Sequence, residues 1–151
     1  MLWHQDGAFW RIEPVEVVTL WLALTHSTPE NGCLKVVPGS HKMKLLDVVE
    51  ATEDAVLPNQ IPVEVDEQNA VSLVLEPGDV SLHHHNLVHG SAPNRSDIWR
   101  RGLTIRYIPT STKILDPNAA SPLPAQGVRR PGRERLPPPP VFNPARHMAF
   151  T

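Results

Sequence analysis

His4-Gln5-Asp6 places a histidine and a carboxylate two residues apart. On an extended strand such residues point to one face, so both can hold one ion from the same side. A distant histidine, His89 in Val88-His89-Gly90-Ser91, would complete two imidazoles and one carboxylate. That facial set leaves three positions open on ferrous iron for non-haem oxygenase chemistry. Arg100 follows in Trp99-Arg100-Arg101, and its planar fork of donors suits a carboxylate in a bidentate way that a lysine would not reproduce. Together these residue types describe an iron site with a seat for a keto acid. His-x-Asp alone is equally a pair of solvated residues on a strand, so the elements around it carry the weight.

Those elements read as short strands. Val15 to Leu24, Cys33 to Val37, Ile61 to Val65, Val71 to Leu75, Val80 to His84 and Leu103 to Ile108 are β-rich runs bounded by Gly, Pro, Asn or Asp. Glu76-Pro77-Gly78-Asp79 is a tight-turn sequence, and the runs on either side are expected to form a hairpin. Leu45, Leu46, Val49 and Val56 fall near helical intervals, which predicts a helix over Lys42 to Ala55. Antiparallel strands with long returns suit a mainly β, double-sheet jelly roll with the metal site between the sheets at one mouth.

Composition bounds the class. A chain of 151 residues with 40% apolar content supports one core. The net charge of -2 gives no field to draw nucleic acid or an anionic membrane, so neither is expected as a partner. A single cysteine, Cys33, excludes an intramolecular disulfide framework and suits a cytoplasmic, reducing compartment. There is no secretory-signal pattern, and no apolar run approaches the length of a membrane span. Residues 1–115 are expected to form the jelly-roll core. Residues 116–151, with Pro137 to Pro140 and Arg129, Arg130, Arg133 and Arg135, are expected to be an extended or disordered arm, because proline lacks the backbone donor a packed element needs.

Taken in order, Trp3-His4-Gln5-Asp6-Gly7-Ala8-Phe9-Trp10, the strand carrying Trp21, Asn31-Gly32-Cys33-Leu34, Pro38-Gly39-Ser40-His41-Lys42, Glu76-Pro77-Gly78-Asp79-Val80, His89 to Ser96 and Trp99-Arg100-Arg101 resemble the phytanoyl-CoA dioxygenase family of iron(II)- and 2-oxoglutarate-dependent oxygenases. The resemblance covers roughly the first hundred residues and is specific in its sum. It implies the double-stranded β-helix fold, with His4, Asp6 and His89 as metal ligands and catalytic centre, and Arg100 as the partner of the far carboxylate of 2-oxoglutarate. It further implies that Ser91 and Trp21 line or hydrogen-bond that cosubstrate. The implied reaction consumes dioxygen, decarboxylates 2-oxoglutarate to succinate and hydroxylates an aliphatic carbon of a small molecule. Halogenating relatives have a small residue where Asp6 stands, so hydroxylation is the expected outcome. Because the metal motif begins at the fourth residue, the chain is expected to be a member lacking the N-terminal region.

Two other readings stand beside this one. One is a non-catalytic jelly-roll fragment that binds metal weakly or associates through exposed sheet edges. The other is a cupin-like or zinc metalloenzyme without a keto acid, against which Arg100 argues. Leu82-His83-His84-His85 offers further nitrogen ligands, but His83 and His85 share one strand face and His84 the other, so the three cannot hold one ion. His84 is open between a residue facing substrate or supporting the site and plain strand filler. Phe9, Trp10 and Arg11, just beyond the ligand pair, are candidates for substrate contact or for capping the core. The substrate itself and the oligomeric state are not legible.

Overall fold

Alternation along one central strand organises the molecule. In the computed structural model, which describes residues 1–50, 59–60, 63–116 and 125, the strands are β1 (Ile12–Glu13), β2 (Val18–Ala23), β3 (Leu34–Val36), β4 (Val49–Glu50), β5 (Asn59–Gln60), β6 (Val71–Ser72), β7 (Val80–His84), β8 (His89–Ser91), β9 (Gly102–Tyr107) and β10 (Lys113–Ile114). β2 lies between β7 and β9 in an antiparallel sheet, and β3 lies between β6 and β8 in a second. Thr19, Trp21 and Ala23 of β2 turn inward and are buried, while Val18 on the opposite face is exposed. Trp21 and Ala23 pack against Leu34 of β3, with Leu73 and Leu75 against that cluster, so the two sheets face each other across one apolar core. This is the expected jelly roll. β1 closes on β10, where Lys113 pairs with Glu13 at 3.6 Å.

Register sets which residues meet inside. Thr19 is opposite His83 on one side and Arg106 on the other; Trp21 is opposite Ser81 and Thr104. Directly opposed residues in antiparallel strands share a face, so these two rows form the floor beneath the space between the sheets. Ala23 is opposite Gly102, and the Trp21 indole occupies the place where a β-carbon at position 102 would stand. Glycine is required there by close approach.

The turn at Glu76 to Asp79 forms as expected, with Asp79 N–H donating to Glu76 O at 3.0 Å and Gly78 at φ +97. The hairpin does not. β6 pairs with β3, and β7 pairs with β2 in the other sheet, so this turn carries the chain from one sheet to the other. Its own bonds explain that course: Gly78 N–H and Asp79 O both engage the backbone of Ala23 at the end of β2, at 2.8 and 2.9 Å.

The helix expected over Lys42 to Ala55 is absent from its described part, and residues 51–55 lie outside the description. A 3-10 turn over Ser40–Lys42 gives way to extended chain and then β4. Side chains from elsewhere take the backbone groups that a helix would have used. Gln5 donates to Lys44 O at 3.3 Å and accepts from Leu46 N–H at 3.0 Å, and Asn86 donates to Met43 O at 2.9 Å. The strand expected over Ile61 to Val65 is not formed at residues 63–65, and residues 61–62 lie outside the description, as does all of the expected arm beyond Asp116 except residue 125.

Gln5 is fully buried and also donates to Asn86 O at 2.9 Å, so one amide ties the N-terminal segment to two loops. Gln5→Leu would leave three backbone groups without this partner, and loss of about 2–3 kcal/mol is expected. Urea unfolding of the metal-free chain measures it; an unchanged midpoint would show that the amide is not what holds those loops.

Candidate metal centre

A bridge between the chain start and β8 builds the site. His4 N–H donates to His89 O at 2.9 Å, and His89 N–H donates to His4 O at 3.0 Å, making the two residues directly opposed partners. Their rings therefore emerge side by side, with centroids 4.2 Å apart. Gln5 turns the other way into the body. Asp6 opens a 3-10 turn over Asp6–Phe9 that brings its carboxylate back beside both rings. Asp6 Oδ1 lies 3.6 Å from His4 Nε2 and 3.8 Å from His89 Nε2, and one donor atom from each of the three residues lies within 4.8 Å of the others.

The donor set suits a divalent ion. His4 Nδ1 is 2.8 Å from Leu2 O and His89 Nδ1 is 2.9 Å from Leu87 O. A carbonyl only accepts, so each Nδ1 carries the proton and each Nε2 lone pair is left for a metal. Burial and the neighbouring His4 push His89 down to about 4, which keeps its imidazole neutral. For Asp6, burial acts upward, but its contacts with His4 and His89 and the nearby Arg106 guanidinium outweigh it and hold the carboxyl below its usual range. The second oxygen, Oδ2, accepts from the Thr19 hydroxyl at 3.3 Å, and Arg106 Nη2 stands 4.0 Å from it.

These ligand atoms open onto a cavity of about 500 Å³ between the sheets. Arg100 and Trp21 line one part of it, with the guanidinium carbon 5.7 Å from the indole centroid. Arg106 and Trp10 line another, at 5.2 Å. His4, Asp6, His89, Arg100 and Trp21 are thus brought together as the sequence anticipated. Ser91 is on β8, bonded through its backbone to Met1, and is not among the cavity-lining residues.

Two facing sheets with this constellation at one mouth define the jelly-roll class with a non-haem metal centre. The chain belongs to the phytanoyl-CoA dioxygenase (PhyH) family, whose model matches residues 1–102. It is 38% identical over 109 residues to a probable alpha-ketoglutarate-dependent hypophosphite dioxygenase of Stutzerimonas stutzeri, covering 70% of this chain and 38% of that protein. Among solved structures it is similar to EvdO2 from Micromonospora carbonacea var. aurantiaca complexed with 2-oxoglutarate (TM-score 0.60, 30% identity, 69% of this chain and 43% of that one). It is also similar to the epimerase SnoN in complex with Fe3+, alpha ketoglutarate and nogalamycin RO (TM-score 0.63, 27% identity, 90% and 53%). The chain thus spans about half or less of the length of these relatives.

Four polar cavity residues were not anticipated as part of the site. His83, rather than His84, faces inward: it is buried, its ring lies 5.7 Å from that of His89, and its Nε2 is 3.0 Å from Ser81 Oγ. His84 is exposed and stacks on His85 at 4.1 Å, outside the cavity. Thr19, Thr104 and Arg106 complete the floor. The alternation of β2 with Trp21 inward would have identified Thr19, but partners on β7 and β9 depend on register. Phe9 and Trp10 line the cavity; Arg11 is exposed and does not.

Thr19→Val keeps the shape of the side chain and removes the hydroxyl that holds Asp6 Oδ2. A loss of about tenfold in Co(II) affinity by calorimetry, with unfolding unchanged, is expected; unaltered affinity would show that the hydroxyl does not orient the carboxylate. A second expectation follows from His89. Between its ordinary 6.5 and about 4, the unfolded chain takes up a proton that the folded chain refuses. Stability of the metal-free chain should therefore fall as pH drops through that window, and denaturant midpoints from pH 7 to 4 test this against His89→Gln, which should flatten the dependence.

Proposed function

We propose that this chain carries the active centre of an iron(II)- and 2-oxoglutarate-dependent dioxygenase that hydroxylates an aliphatic carbon of a small molecule. The observation that carries this reading is the meeting, in one cavity, of two Nε2 atoms and a carboxylate oxygen with an arginine, Arg100. His4, Asp6 and His89 would hold the iron. Bound iron with 2-oxoglutarate supplies the oxidising chemistry, in which dioxygen and the keto acid yield succinate, carbon dioxide and a hydroxylated product.

The chain's own residues supply orientation, charge and dryness. Arg100, with Trp21 beneath its guanidinium, would clamp the far carboxylate of the keto acid, since the fork offers paired donors while the ring supports its apolar face. Ser91, two residues after His89 on β8, is assigned as a hydrogen-bond partner of the cosubstrate. Trp21, Trp10 and Phe9 wall the cavity with apolar rings that would limit water around a bound substrate. The carbonyls of Leu2 and Leu87 keep both imidazoles in the ligating tautomer.

Residues 1–115 are assigned as the oxygenase core, supported by the pairing of β10 with β1, and 116–151 as an arm, supported by their proline content. A cytoplasmic setting is in keeping with Cys33 as a buried free thiol. Among the described residues no helix is long and apolar enough to cross a membrane. The partner implied is a small-molecule substrate.

An anaerobic titration of the chain with ferrous iron and then 2-oxoglutarate tests the reading. A visible charge-transfer band of the chelated keto acid is expected, absent in Asp6→Ala and needing much more 2-oxoglutarate in Arg100→Ala. No band from a folded wild-type chain would refute the assignment.

A further inference from the structure

Arg106 is a second arginine in the cavity, and the reading above gives it no ligand. β9 register sets it opposite Thr19 on the inner face, beside the metal-facing Asp6. Its guanidinium rests on Trp10 and stands 4.0 Å from Asp6 Oδ2, beyond hydrogen-bond distance. Among the described residues it makes no hydrogen bond, and its side chain is 48% exposed. An arginine braced on an aromatic ring, paired at long range with Asp6 and making no side-chain hydrogen bond among the described residues, is arranged to receive a planar or tetrahedral oxyanion.

Charge points the same way. The ionisable side chains that line the cavity are Asp6, Arg100, Arg106 and the histidines His4, His83 and His89. Asp6 is the one carboxylate among them, against two guanidinium groups. Ferrous iron and 2-oxoglutarate dianion cancel each other, so the loaded site keeps one positive charge, on the side of Arg106.

We propose that Arg106 is the substrate-binding residue for an anionic group, and that the substrate class is a small acid bearing a carboxylate or a phosphorus or sulfur oxyanion. This rests on the reading of iron and 2-oxoglutarate given above. Arg106 against Trp10 fixes the anionic end of the molecule, and the remainder lies toward the metal.

The test loads the full chain with Co(II) and 2-oxoglutarate, then titrates acetate, methylphosphonate and methanesulfonate separately, with acetamide as the neutral control, reading the cobalt absorption and the heat of binding. At least one oxyanion should bind saturably and acetamide should not, with the preferred anion naming the acid. On chain first saturated with Co(II) and 2-oxoglutarate, Arg106→Gln should weaken that anion by about tenfold or more and Arg106→Lys by less. Several outcomes would overturn the proposal: no oxyanion bound by the loaded wild type, acetamide bound as well as acetate, or anion affinity untouched in Arg106→Gln. Loss of 2-oxoglutarate in Arg106→Gln but not in Arg100→Gln would make Arg106 the cosubstrate clamp, and loss of Co(II) would make it a positioning residue for Asp6; either removes the proposed role. A wild-type chain that never takes up Co(II) and 2-oxoglutarate defeats the underlying reading as well, and is recognised before any anion is added.

Discussion

The reciprocal pair of backbone hydrogen bonds between His4 and His89 is the constraint on which the site depends. It brings together residues far apart in sequence and settles, through backbone geometry alone, that two imidazoles emerge on one side. Everything nearby serves that pairing. Gln5, facing away from the metal side, spends its whole amide on backbone groups of two other loops, so the middle residue of His4-Gln5-Asp6 anchors while its neighbours present ligand atoms.

The same economy governs charge. Two imidazoles in close contact would repel if protonated; burial keeps His89 neutral, and the carbonyls on both Nδ1 atoms leave each Nε2 on the metal side. Among the described residues the one carboxylate beside them is Asp6, whose pKa burial would raise but which its contacts and the nearby Arg106 hold below the usual range. The site is thereby ready for a cation before one arrives, and little reorganisation of protons need accompany binding.

Much of this was legible in the sequence where it rested on local spacing. β7 at Val80–His84, β9 within a residue, and the turn at Glu76 to Asp79 follow from alternation and turn chemistry, whereas His4 and Asp6 lie on no common strand and Asp6 opens a 3-10 turn. Errors fell where distant groups decided the outcome. The hydrophobic spacing after Lys42 suggested a helix, but Gln5 and Asn86 capture its backbone and hold it extended. The hairpin failed because the end of β2 binds the turn and diverts the chain into the other sheet. His83 and Arg106 were invisible as site residues because only register against Thr19 turns them inward, whereas His84 drew attention through its neighbours in a histidine run.

Gly102 shows how far the requirements of the site extend beyond the atoms that touch a ligand. Trp21 lies on it, and Arg100 lies over the same ring. A methyl group at position 102 would move the indole, and with it the support beneath the arginine. Position 102 therefore behaves as a letter of the motif although it contacts neither ion nor acid. Sorting chains by ligand residues alone would group together proteins that keep His, Asp, His and Arg but fill this space, and those have lost the seat on which the arginine depends.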